Sequence, residues 1–328
     1  MKERYFNYLL LGILLIVAFV IVPLFAQNYH IFMITEMVIF ALFGISYNLL
    51  LGYAGLLSFG HAMFFGTGAY ATAVVIQYFP NIPFFGALLF AILVSGVLGI
   101  IIGALLLRHT GTPFALLTLA FQALIFAIAT KWYSMTGGDD GLNVNRPDIN
   151  FGFGTLDMSD LTVFYLVTIF ILSAVIFFCW YFTRTAMGKT VLLMRENEER
   201  MKFLGYNTAI TRLILFTFTG ILAGFAGAFY ALFFQFTSIT AISPDMTTTI
   251  LVITFIGGTG SFFGPILGAA VYIYLQDLLS DITDRWQFFM GIIFVFMVLF
   301  VPGGLSGALT SLKNRLREYI SGQQMERG

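Results

Sequence analysis

Ser58 and His61 stand three residues apart in GYAGLLSFGHAMFFGTGAY (52–70), a stretch with five glycines that is otherwise as apolar as lipid. A hydroxyl and an imidazole there can hydrogen-bond a solute or a backbone carbonyl. They belong to no triad or ligand set, because His30, His61 and His109 are dispersed, no H-E-x-x-H occurs and no apolar segment carries an acidic-x-x-acidic repeat. Asp139 and Asp140 lie in the glycine-rich string TGGDDGL and read as a turn, not a metal site. The string GKT (188–190) resembles the end of a phosphate-binding loop, but the full pattern needs a glycine where Thr183 stands and a strand before it. No enzyme is expected, and ATP, if used, is hydrolysed on another chain.

Glu36 is the one ionisable residue set well inside an apolar run; Asp245 and Asp277 fall at the ends of theirs. A carrier driven by protons or sodium places such groups near the midplane of the membrane. Glu36 is either a coupling carboxylate or one that faces a wet cavity or a polar neighbour, and the scarcity of its kind points to an energy source elsewhere.

The elements that must hold these residues are membrane helices. The chain has 328 residues, of which 59% are hydrophobic, 17% aromatic and 10% charged, less than half the charge of an ordinary soluble domain. Apolar runs of about 20 residues, each enough to cross ~30 Å of hydrocarbon as a helix, fill most of the length. The pattern predicts an all-α polytopic membrane protein of ten spans, near 6–26, 31–51, 62–79, 84–107, 112–131, 161–183, 213–236, 246–257, 264–279 and 288–301. The run from Phe6 to Ala26 follows Lys2 and Arg4 but is too long for a signal peptide and has no A-x-A site, so it reads as an uncleaved span. Cys179, the single cysteine, sits among Phe177, Phe178 and Trp180 as a small buried apolar residue.

Formal net charge is zero and suggests no nucleic-acid partner. Its placement is more informative: with the N-terminus inside, only Lys131, Arg146 and Arg285 of the 16 Lys and Arg lie outside, as the positive-inside rule asks. Trp132 and Trp286 then sit at outer span ends and Trp180 near an inner one. Both termini are cytoplasmic in this scheme, and one domain (1–328) carries an outer loop (132–160), an inner loop (184–212) and an inner tail (303–328).

From Val191 to Leu204 the inner loop predicts one helix, with Val191, Met194, Met201 and Leu204 on one face and the pairs Arg195/Glu199, Glu196/Arg200 and Glu198/Lys202 along it. Each such pair contributes ~0.3–0.5 kcal/mol, and Gly205 stops the helix as a C′ glycine. Two readings stand: a helix lying on the inner leaflet, or one that a cytoplasmic partner grips. The mixed sign of its polar face argues for the second. A faint repeat also relates GYAGLLSFG (52–60) to GGTGSFFGP (257–265). Such paired breaks mark a transport route or allow close helix packing.

Four stretches in order, GYAGLLSFGHAMFFGTGAY, TGGDDGLNVNRP (136–147), RENEERMKFLGYN (195–207) and GGTGSFFGPILGA (257–269), with VPGGLSG (301–307) to close, resemble the integral membrane permeases of branched-chain amino acid ABC importers, in the LivM-like branch. The resemblance runs through nearly the whole chain; relatives more often carry Ser or Thr at the position of Asp139. It implies an importer of leucine, isoleucine or valine in a bacterial plasma membrane. Its partners would be a second homologous permease, two cytoplasmic ABC ATPases that use the ATP and an extracytoplasmic binding protein, with no cofactor on this chain itself. It further implies a pathway near Glu36, Asn48, Gly55, Ser58, His61, Gly257, Gly258 and Gly260, ATPase coupling through Arg195, Glu196, Asn197, Glu198, Glu199 and Gly205, and an outer motif at Gly137, Gly138, Asp140 and Gly141. A permease for urea or short amides, and a carrier or channel independent of ATP, are the alternatives.

Overall fold

The computed structural model describes residues 27–106, 109–150, 154–301 and 303–311. In chain order the helices are α1 (Asn28–Asn48), which ends in a π-helical turn (Leu49–Tyr53), α2 (Ala62–Tyr78), α3 (Phe84–Leu106), α4 (Gly111–Lys131), the single turn α5 (Tyr133–Thr136) and α6 (Leu161–Arg184). There follow α7 (Ala186–Glu196), α8 (Glu198–Phe203), α9 (Thr208–Phe234), α10 (Pro244–Gly257), α11 (Gly264–Ile282) and α12 (Trp286–Phe300). The architecture is all-α as expected, with four two-residue strands in its loops. Here β1 (Leu142–Asn143) pairs antiparallel with β4 (Phe236–Thr237), and β2 (Ile149–Asn150) with β3 (Thr155–Leu156).

Caps set several helix starts. Asp160 accepts from the Thr162 N–H at 2.7 Å to begin α6, and Ser243 with Pro244 begins α10, as N-cap chemistry favours. The centre of the bundle is α1, which is buried on every side from Ile39 to Leu50, as a helix apolar all round must be. α9 packs across α1, α2 and α3, and Phe43 stacks on Phe65 at 4.3 Å within this core. By contrast α4, α6 and α12 expose Leu116, Leu124, Phe170, Phe177, Ile292 and Leu299, the outer wall that a membrane chain offers to lipid.

Two of the five glycines in 52–70 belong to this packing. A Cβ at Gly66 would strike Ile242 and the backbone of Ala241, and one at Gly68 would overlap the Gly224 carbonyl of α9. Without a hydrophobic drive between helices in lipid, such close backbone approach supplies the association energy through contact.

Five helices among the described residues are long and apolar enough to cross a membrane, counting α1 with its π turn, and six if α12 and the bent segment Gly304–Ser311 form one span. Each predicted span from the second onward coincides with a helix, while the first, 6–26, lies outside the described residues, as do 312–328 of the tail. The remaining helices fall short for visible reasons. α2, with 17 residues, rises only ~25 Å because the chain before it runs through a non-helical segment. α10 has 14 residues, and α11 carries Gln276, Asp277 and Asp281 in its last turns.

Gly68→Ala is expected to lower the melting temperature of the purified protein, with overpacking of about 1–3 kcal/mol. Gly260→Ala, whose added methyl meets open space, should leave it unchanged. Equal melting of the two variants would contradict the packing described.

Candidate functional site

Where α1 ends, the chain passes through the π turn and a non-helical segment in which Gly52, Ala54, Leu56, Ser58 and Gly60 are buried and Gly55 is exposed. Gly55 turns with φ +69°, a left-handed conformation open to glycine, and Leu56 N–H donates back to the Leu50 carbonyl at 3.0 Å. The Tyr47 hydroxyl donates to the Ser58 carbonyl at 3.1 Å, and Ser58 Oγ accepts from Gly60 N–H at 3.3 Å. His61 lies fully buried between Phe43, Tyr47 and Phe64, and its Nε2 is 3.0 Å from Ser46 Oγ. Because that hydroxyl donates to the Phe43 carbonyl at 2.6 Å, it receives the imidazole N–H. Both polar handles of the segment are thus turned into the protein, where they hold the break in shape.

Three side chains that the sequence reading did not single out complete this shell. Thr118 of α4 accepts from Phe59 N–H at 3.1 Å, and its carbonyl lies where a Cβ at Gly60 would have to go. Thr247 of α10 accepts from Ala62 N–H at 3.1 Å and donates to Gln122 at 2.9 Å. Gln122 in turn donates to the Ile242 carbonyl at 2.9 Å. The sequence signal was there: Gln122 is the one carboxamide in α4, a helix whose other polar residues are threonines and the terminal Lys131, and it is fully buried.

The second glycine-broken segment, 258–263, closes onto the first. Asn48 donates to the Ser261 carbonyl at 3.0 Å, and a Cβ at Gly52 would overlap both Asn48 and the Thr259 carbonyl. A Cβ at Gly257 would strike the Gly264 carbonyl that opens α11, and one at Gly258 would strike Gly303 and Ser306 of the tail. The residues of the faint repeat and of VPGGLSG therefore meet at one junction. Gly260 is the exception, exposed and without near neighbours.

The inner loop differs from the single helix expected. It breaks at Asn197, which is extended (φ −157°, ψ 99°) and caps α8 by accepting from Arg200 N–H at 2.8 Å. The cap competes with helix continuation, so the ladder of i,i+4 pairs is interrupted: Glu198 keeps Lys202 at 2.9 Å but also binds Arg212 of α9 and accepts from the Thr208 hydroxyl. Arg195 is exposed as a residue, yet its guanidinium donates to the Gly52 carbonyl. Val191, Met194 and Met201 are buried, whereas Leu204 is 66% exposed and leaves the face assigned to it. Gly205 stops α8 as expected: its N–H donates to Lys202 and that of Tyr206 to Met201, a Schellman closure. Glu196, Glu199 and Arg200 remain exposed, beside the apolar Leu193, Phe203 and Tyr206.

At the opposite end, Gly137, Gly138 and Gly141 all have positive φ and make the turn expected around Asp139 and Asp140. Asp140 accepts from the Tyr133 hydroxyl at 2.9 Å, a bond that raises the pKa of the phenol. Gly141 and Arg146 border a cleft of about 480 Å³ with Gln77, Asn143 and Asn145. Arg146, read from sequence only as an outer charge, caps α9: it donates to the Leu232 and Phe233 carbonyls at 2.7 Å and stacks over Phe164 at 4.1 Å. Burial lowers its pKa to about 10. Glu36 stands apart from the junction, within electrostatic reach of Asp277, Tyr230 and Tyr272.

A family model described as branched-chain amino acid transport system / permease component matches residues 29–299. The chain is 28% identical over 291 residues to the high-affinity branched-chain amino acid transport system permease protein LivM of Salmonella typhimurium, covering 83% of this chain and 68% of that one. It is 27% identical to the protein of the same name from Escherichia coli, with the same coverage of 83% and 68%. Similarity extends to the galactose/methyl galactoside import permease protein MglC of Salmonella typhimurium, at 24% identity over 62% of this chain and 63% of that one. No solved structure matches.

Burial works against the charge of Glu198, but Lys202, Arg212 and the Thr208 hydroxyl outweigh it and hold the carboxyl below the usual range. A carboxyl so depressed stabilises fully above its unfolded pKa and ceases to as pH falls through its folded one. Glu198→Gln is therefore expected to weaken amide protection across 198–212 at neutral pH, with the difference from the native chain closing below the ordinary carboxylate range. Equal protection at neutral pH would contradict the lock.

Proposed function

The chain belongs to the family of branched-chain amino acid transport system permease components, and from that premise we propose that it is the membrane subunit of an ATP-binding-cassette importer for leucine, isoleucine or valine. The observation that carries the proposal is the junction. An inner loop with an exposed face of mixed charge and apolar residues reaches through Arg195 to the same point where two broken helices meet. A device of that kind suits a permease moved by a partner that hydrolyses ATP, and broken helices commonly flank transport routes.

In this reading the chain sits in the plasma membrane, pairs with a second permease, takes its ATPase on 186–206 and receives solute from an extracytoplasmic binding protein on the outer loop. The pathway runs beside the junction and Glu36, with the backbone of 52–60 and 257–260 as its wall and Ser58 and His61 as the bonds that shape it. Substrate choice among amino acids, urea, short amides and sugars rests largely with the binding protein, in keeping with the galactoside permease among the relatives.

Vesicles holding the permease pair, its ATPases and its binding protein are expected to take up labelled leucine, isoleucine or valine only with ATP. Flux through this chain without ATP would favour a channel or carrier, and uptake of urea or a galactoside alone would reassign the substrate. Orientation has its own test. In Cys179→Ala protein, Ser159→Cys should react with an impermeant thiol reagent from outside and Lys189→Cys only once the membrane is opened; the reverse pattern would invert the topology.

A further inference from the structure

We propose that Arg195 is the transmission contact of this permease, carrying displacement of the inner loop to the broken end of α1, and that it is not a docking residue. The proposal rests on the permease reading above. α7 packs against the π turn and against α9. One of its faces, Val191 and Met194, is buried on the bundle, while Leu192 and Leu193 are 41% and 49% exposed and free for a partner. Arg195, one turn further on, reaches between the two regions.

Its guanidinium donates to the carbonyl of Gly52, at the point where α1 stops and carbonyls lose the next turn as donor. A charged donor on a backbone carbonyl makes one of the stronger hydrogen bonds available there. The stem of the side chain lies along Gly55, where a Cβ would come within 3.1 Å of Arg195 Cγ. Glycine at 55 is favoured by its φ of +69°, and a side chain there would also press on this stem. The segment gripped is a π turn, a geometry that recurs at functional sites.

What Arg195 holds is in contact with everything else that breaks at this end. Gly52 abuts Thr259, Asn48 bonds Ser261, and Gly258 abuts Gly303. α8 is anchored separately, because Glu198 ties it to Arg212 of α9, and the extended Asn197 breaks the helix between it and α7. A pull on Leu192 and Leu193 is thus delivered to Gly52 and through it to both breaks.

The test uses the assembled transporter in vesicles, with solute uptake, ATP hydrolysis and ATPase co-purification measured together on the native protein, Arg195→Gln and Arg195→Lys. The native complex must first show ATP-dependent uptake, and its failure to do so would overturn the permease reading itself. Given that, Arg195→Gln should retain its ATPases and continue to hydrolyse ATP while solute imported per ATP falls at least tenfold. Arg195→Lys, which keeps the charge on a single donor, should fall between. Loss of the ATPases from Arg195→Gln would make Arg195 a docking residue, and an unchanged uptake-to-hydrolysis ratio would make it a structural staple; either result overturns the proposal while leaving the permease reading intact. If Arg195→Gln does not fold, the ratio in Arg195→Lys decides between the same outcomes.

Discussion

A backbone amide or carbonyl in hydrocarbon has no water to bond, and leaving one unpaired costs several kcal/mol. α1 nevertheless stops at Asn48, and regular helix resumes only at Ala62. Several of the groups this gap frees find partners in the protein around it, although Asn48 Oδ1 and His61 Nδ1 are buried without one among the described residues. A π turn takes the first of them, Tyr47, Thr118 and Thr247 take others from three different helices, and Arg195 takes Gly52. Of the buried polar side chains, Ser46, Asn48, Ser58, His61, Thr118, Gln122 and Thr247 gather at the break, whereas Thr35, Thr72, Thr219 and Thr254 bond carbonyls of their own helices.

The same constraint links the ends of the molecule to its function. A second gap, at 258–263, is placed so that each break presents carbonyls and glycines to the other, which lets two interrupted helices share one junction. At the other end Arg146 caps α9 and so fixes the outer loop to the helix that runs back to the inner loop. α9 packs on α1 and approaches α2 and α3 along a seam of glycines, so backbones come close there between the two ends of the bundle. Such packing transmits displacement in preference to absorbing it.

Much of this was legible in the sequence because hydropathy and glycine are strong signals in lipid. The helices near 84–107, 112–131 and 161–183 fell where apolar length alone put them. Gly205 was legible as a helix stop because only its φ of +85° permits the closure seen. The break at Asn197 was missed, since the expected i,i+4 charge pairs Arg195/Glu199 and Glu196/Arg200 run across it and the capping power of an asparagine depends on a local conformation that periodicity does not report. Likewise the five glycines of 52–70 look alike in the sequence yet divide by role. Gly52, Gly55 and Gly60 shape the break, and Gly66 and Gly68 face Ala241, Ile242 and Gly224. Long-range partners such as Thr118 for Phe59 depend on tertiary placement and leave no local trace.

The central claim is that the gap after α1 is closed by protein side chains from other helices. Hydrogen–deuterium exchange on the assembled transporter in a bilayer tests it most directly, followed by mass spectrometry of peptides covering 50–64 in the native chain and in Thr118→Val. The account predicts that the native segment exchanges as slowly as the flanking helices although it is not helical, and that Thr118→Val accelerates exchange at Phe59 while α3 and α9 stay protected. Rapid exchange of the native segment, or no response at Phe59 to the loss of the Thr118 hydroxyl, would contradict it.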